Sequence, residues 1–147
     1  MIKQSILQQI EQTLRNNINE ITNALNDYEA SANLDEGDTM DPEDYSQQSE
    51  ARELKMQMQI QLDQARNQLT RLQGFSQKES TQAEPGALVT TDKNLFFVGL
   101  SLSSMGIDGK DLYCISTESP AYTAVRGKSA GDHFDIGKET HTILSVS

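Results

Sequence analysis

Apolar residues recur at helical spacing twice in the first half of the chain, once from Leu7 to Tyr28 and again from Leu54 to Leu72. The two stripes become complementary when the chain is folded back on itself near residue 41. Leu14 then lies opposite Leu69, Ile18 opposite Ala65, Ile21 opposite Leu62 and Leu25 opposite Met58, and the pairs Ile10 with Leu72 and Tyr28 with Leu54 extend the series. Partner positions add to a nearly constant number, as two antiparallel helices sharing one seam require. The spacing predicts a first helix from about Ile2 to Asn33, carried by Leu7, Ile10, Leu14, Ile18, Ile21, Leu25 and Tyr28. Its four-residue step from Leu14 to Ile18 marks a stutter. A second helix is predicted from Pro42 to Gln73 on Leu54, Met58, Leu62, Ala65, Leu69 and Leu72, with its other positions mostly polar apart from Met56 and Ile60. Gly74 suits its C-terminal cap. At about 1.5 Å per residue, each arm reaches roughly 45 to 50 Å.

From Ser76 to Pro85 no apolar period remains, and the stretch reads as a linker. Beyond Gly86 the pattern changes to short β-branched and aromatic runs. Ala87–Thr91 and Leu95–Leu100 flank an Asp92-Lys93-Asn94 turn, and Leu112–Ser116 forms a third strand. Ser119-Pro120 is a helix start, hydroxyl cap first and proline at the first helical position, and Gly127 closes that short helix. After Gly131-Asp132 a hairpin of His133–Ile136 and Thr140–Val146 alternates well enough to bury one face. The fold class expected is therefore α+β: an N-terminal antiparallel coiled-coil hairpin over residues 1–75, a linker over 76–85, and a small antiparallel sheet with one short helix over 86–147.

Charge sharpens this picture. The 147 residues carry a net charge of −10, and residues 27 to 53 hold ten acids against Arg52 alone. Such a chain is repelled by bare nucleic acid, because phosphate binding needs a basic face. Its partner should offer a positive or metal-bearing cavity. No stretch is apolar enough to span a membrane, and Met1–Leu14 lacks the continuous apolar core of a secretion signal, so a cytoplasmic protein is expected. Cys114 is the sole cysteine, so an intramolecular disulfide and a cysteine metal knuckle are excluded; it reads as a buried structural thiol.

Six carboxylates crowd the fold point: Asp35, Glu36, Asp38, Asp41, Glu43 and Asp44. Part of this is helix-start chemistry, with Asp41 as cap, Pro42 next, and Glu43 and Asp44 against the positive end of the dipole. Gly37 suits the end of the first helix in the same way. Capping leaves Asp35, Glu36 and Asp38 unexplained, and like charges packed at a turn cost stability, which points to a role outside the fold. The acids recur every third position without a twelve-residue ligand pattern and its closing glutamate, so a calcium loop is not indicated. His133 and His141 have no Cys or His at metal spacing and read as strand histidines. No Ser-His-Asp arrangement or glycine-rich phosphate loop is present.

Two motifs carry a family resemblance. Gly37-Asp38-Thr39-Met40-Asp41-Pro42-Glu43-Asp44-Tyr45, followed by Ala51-Arg52-Glu53, resembles the tip pattern G-D-x-x-E-N-x-E-Y of the bacterial Gre transcript-cleavage factors. Ser119-Pro120 with Gly127-Lys128 and Gly131-Asp132 is similar to that family's C-terminal signature. The resemblance covers essentially the whole chain. It implies a C-terminal FKBP-like domain that docks on RNA polymerase at the rim of the secondary channel, through Ser119, Pro120, Lys128 and Asp132. The hairpin would pass down that channel, where Asp38 and Asp41 help hold a second magnesium ion (Mg2+) shared with the polymerase and orient water beside its catalytic aspartates. Gly37 and Tyr45 would support the tip. The chain would then be no enzyme itself but a factor that stimulates cleavage of backtracked transcript, touching RNA only through the polymerase, away from membranes and as a monomer. This sequence departs from the pattern where Asp41 replaces glutamate and Pro42 replaces asparagine. The alternatives are a non-cleaving regulator or inhibitor that occupies the same channel, and a plain interaction adaptor in which the rod is a spacer and the acids are only caps.

Overall fold

The computed structural model describes residues 2–34 and 42–147, with side chains described over 2–29 and 49–147. Two helices of 33 residues each, α1 (Ile2–Leu34) and α2 (Pro42–Gly74), lie within one residue of the bounds their apolar period predicts. The remaining elements are β1 (Leu88–Thr91), β2 (Leu95–Val98), β3 (Met105–Ile107), β4 (Lys110–Ile115), α3 (Pro120–Val125), β5 (His133–Ile136) and β6 (Glu139–Val146). The fold is α+β, a long helical hairpin followed by a six-stranded sheet with one short helix. Among the described residues no helix is long and apolar enough to cross a membrane. The chain divides into two compact units, Glu11–Leu69, and Met1–Ile10 with Thr70–Ser147.

In the unit Glu11–Leu69, Leu14, Leu25 and Leu62 are buried, while Ile18, Ile21, Tyr28, Met58, Ala65 and Leu69 are half-buried. The four-residue step from Leu14 to Ile18 keeps both side chains inward, as the stutter requires. One expected seam residue is misplaced: Leu54 is 47 % exposed. Lys55 takes the inward position, its Nζ 2.8 Å from Glu29 Oε1. The cause is the heptad itself. Counting back from Leu62, the step of four to Met58 must be followed by a step of three, which reaches Lys55, and then of four, which reaches the half-buried Ala51. The lysine stem covers the seam while its ammonium reaches outward to the carboxylate. The Glu29–Lys55 pair continues the series begun by Leu25 and Met58, so it reports the register of the hairpin.

In the other unit the strand order is β3-β4-β2-β1-β6-β5. All ladders are antiparallel except β2 with β4, which is parallel over Leu95–Val98 against Leu112–Ile115. All four residues of β2 are buried, because both faces of the strand are covered. Phe96 and Val98 face a core of Val89, Ile115, Val125, Phe134 and Ile143, with Ala121 and Tyr122 of α3 packed against it. Phe97 faces the other way and meets Phe75, the ring centroids 6.1 Å apart. Gly74 ends α2 without a positive φ; the helix tightens there, Phe75 N–H donating to Leu72 O (3.0 Å) and Ser76 N–H to Gln73 O (3.3 Å). Phe75 then lies over two glycines. Gly86 and Gly99 have φ of +94° and +107°, and a Cβ on either would fall 2.9 or 3.1 Å from the Phe75 ring. Both close approach and backbone sign thus require glycine there.

The stretch 76–85 has neither helix nor strand, yet Ala83 is buried in the core of this unit. Its N–H donates to Lys128 O and its carbonyl accepts from Gly127 N–H, both at 2.8 Å. At the β1–β2 turn the buried Thr91 hydroxyl donates to Asn94 O (2.8 Å) and accepts from Asn94 N–H (3.0 Å), closing the expected Asp92-Lys93-Asn94 loop.

Candidate functional site

The acidic stretch joins the end of α1 at Leu34 to the start of α2 at Pro42. Gly37, Asp38 and Asp41 lie outside the described residues; Tyr45 belongs to α2, with its side chain outside them. The described residues nearest to this stretch in sequence keep the acidic character. Glu29, Glu50 and Glu53 are exposed, and Glu29 pairs with Lys55 across the seam.

The second set of candidate residues surrounds α3. Ser119 is an extended N-cap whose Oγ accepts from Ala121 N–H at 3.1 Å, and Pro120 begins the helix, where a missing N–H leaves no bond unmade. Arg126 N–H returns to Tyr122 O (2.9 Å), and Gly127, at φ +76°, turns the chain. Lys128 N–H then donates to Val125 O (3.1 Å). The next turn is closed by Asp132: Oδ2 accepts from Ser129 N–H (2.8 Å), and its backbone exchanges bonds with Ser129 and Ile143. The structure therefore brings Lys128 and Asp132 to one turn and sets Ser119 and Pro120 at the opposite end of α3.

These side chains are not equivalent chemically. The oxygens of Ser119 and Asp132 are engaged by backbone N–H groups, so they hold the surface in shape. Lys128 is half-buried and Arg126 exposed, so two positive charges lie beside the exposed carboxylate of Asp132. Of the four motif residues, Ser119 and Asp132 spend a side-chain oxygen on a local backbone N–H.

The remaining reactive groups lie in the sheet. Cys114 is half-buried rather than buried as expected, and that burial still pushes its thiol up to about 12, so it is protonated at neutral pH. His133 shares a 3.0 Å hydrogen bond with Thr142 Oγ1. His141 is 2 % exposed, stacked on Phe134 and edge-on to Phe96, and its Nδ1 has no partner. Among the described residues no group of three or more His, Cys, Asp or Glu could hold a metal ion.

No family model and no curated protein matches the sequence. Among solved structures, the crystal structure of GreA factor homolog 1 (Gfh1) protein of Thermus thermophilus is similar at 15 % identity and a TM-score of 0.36, over 98 % of this chain and 94 % of that one.

Proposed function

We propose that this chain is a Gre-type transcription elongation factor: it enters the secondary channel of RNA polymerase and stimulates cleavage of backtracked nascent transcript. The observation that carries the reading is the helical hairpin in the register reported by Glu29 and Lys55. In this reading the acid-rich link that joins α1 to α2 is the tip of the probe. Residues 1–75 are the probe and 86–147 the docking domain, which grips the polymerase rim through Lys128 and the turns that Ser119, Pro120 and Asp132 hold.

Asp38 and Asp41 supply hard carboxylate oxygens, the donors magnesium takes, and the ion is shared with the polymerase. When bound, it polarises phosphate oxygens and lowers the pKa of coordinated water. Gly37 and Tyr45 support the tip. The chain itself is not an enzyme; it acts as a monomer in the cytoplasm, where its partner works.

Stalled, backtracked polymerase incubated with the protein should shorten its transcript, and Asp38→Asn should abolish the effect while binding persists. No polymerase binding by the unaltered protein would refute the reading. Two substitutions in the tip pattern favour a second one. Asp41 reaches one methylene less than glutamate, and Pro42 lacks both the side-chain amide and the backbone donor of asparagine, and a misplacement of about 1 Å can cost on the order of a hundredfold in rate. Binding without cleavage would identify a non-cleaving regulator of the same channel.

A further inference from the structure

A polar segment with neither helix nor strand ordinarily behaves as a flexible connection, and the composition of 76–85 predicts that behaviour. This segment is tied along its length instead. At its start the Phe75 ring lies over Gly86 and Gly99. Lys78 Nζ donates to Pro85 O at 2.6 Å and stands 3.8 Å from Glu84 Oε1, which draws the two ends of the segment together. Ser80 and Ala83 are buried, and Ala83 exchanges two backbone hydrogen bonds with Gly127 and Lys128.

Two more ties come from the other end of the chain, within the compact unit that Met1–Ile10 forms with Thr70–Ser147. Lys3 Nζ donates to Lys78 O at 2.8 Å, and Gln4 Nε2 donates to Ser76 O at 3.2 Å. Both donors stand in the first turn of α1, where a helix frays because its first N–H groups lack intrahelical partners. Here Ile6, Leu7 and Ile10 are buried just behind them, so the turn is anchored and its polar side chains are held in place. Burial is the main cause that lowers the Lys3 pKa from its ordinary 10.5, with Glu79 raising it and Lys78 lowering it further, so the amine is partly withdrawn from water against the segment it holds. A bond from a charged donor is the stronger of the two.

We propose that the first turn of α1 is a latch on a strap formed by 76–85: Lys3 and Gln4 hold the strap by its carbonyls, and the strap gives way as a local unit when they let go. Phe75 and Ala83 stay anchored when the latch opens, so the part released is 76–82. The latch needs no partner and stands whether or not the chain binds RNA polymerase.

Proteolysis reads the strap directly, because cleavage of a transiently opened segment follows the population of its open form when reclosing is fast. The full chain, unaltered and as K3M/Q4M, is digested with a glutamate-specific protease, and initial rates of cleavage after Glu79 and Glu118, both exposed, are followed by mass spectrometry. Methionine removes both donors and keeps the helix propensity of the first turn. In the unaltered protein cleavage after Glu79 should be far slower than in a free peptide of residues 74–84. In K3M/Q4M it should rise roughly tenfold or more, the effect of losing a hydrogen bond from a charged donor, while cleavage after Glu118 keeps its rate. Equal rates after Glu79 in the unaltered protein and the peptide show a free linker and overturn the strap. An unchanged rate in K3M/Q4M overturns the latch. Equal acceleration after Glu79 and Glu118 overturns it as well, by assigning the change to unfolding of the whole unit.

Discussion

The exchange of Leu54 for Lys55 at the seam gives a sharp test of the hairpin register. If the heptad runs through Lys55, Leu54→Gln removes a side chain that is already 47 % exposed. Full burial of leucine is worth about 1.5–3 kcal/mol, so roughly half of that, about 1 kcal/mol, is lost. Leu62, 8 % exposed, behaves differently: its truncation to alanine should cost about 2–5 kcal/mol, near the lower bound for a seam between only two helices. Lys55→Leu removes an ion pair whose side chains are 37 % and 51 % exposed, worth about 0.2–1 kcal/mol after solvent screening. It gains a half-buried apolar contact of about 1 kcal/mol, so the net change is near zero or slightly stabilising. Urea unfolding of the full chain, followed by far-ultraviolet circular dichroism, ranks the three variants directly. The register is refuted if Leu54→Gln is as damaging as Leu62→Ala and Lys55→Leu is destabilising, for then Leu54 is the inward residue.

Two further outcomes follow from the sheet unit. Thr142 N–H donates to Asp92 Oδ1 at 3.0 Å and, as the main cause, holds that carboxyl below its usual value near 3.8. A depressed folded-state pKa means stabilisation that is full above the ordinary carboxylate range and lost as pH falls through the lowered value. Asp92→Asn should therefore flatten the acid limb of the stability curve below about pH 4, read by urea midpoints across pH, and leave its neutral-pH slope unchanged. At α3, Ser119→Ala removes the cap to Ala121 N–H and should cost about 1 kcal/mol, with Ser119→Asp restoring most of it in thermal unfolding.

How far the sequence carries depends on the range of the interaction. The helix bounds of α1 and α2 are legible because the apolar period is local and long. Leu54 misleads because it and Lys55 are adjacent, four and three residues from Met58, and only the alternation of steps along the whole seam distinguishes them. The short strand β3 was missed although Asp108-Gly109 marks a tight hairpin turn; both residues have positive φ (+51° and +80°), and Met105-Gly106-Ile107 alone is too brief to show a period. The parallel pairing of β2 and β4 has no local signal at all, since it depends on which distant strands meet. Ala83 likewise looks like linker, and its burial follows from the bonds with Gly127 and Lys128. At α3 the local structure is legible: Ser119 and Pro120 form the helix start their order predicts. Which side-chain oxygens of the α3 motif accept a backbone hydrogen is not legible, because it depends on the turn that the folded chain makes. For Gly37, Asp38 and Asp41 the reading remains that of the sequence.

The outermost strands of the sheet are β3 and β5, of three and four residues. The eight-residue β6 and six-residue β4 are each flanked on both sides. Lateral growth by another polypeptide would find only brief rows of unpaired amides and carbonyls at either margin, which blunts strand addition and the polymerisation that comes with it.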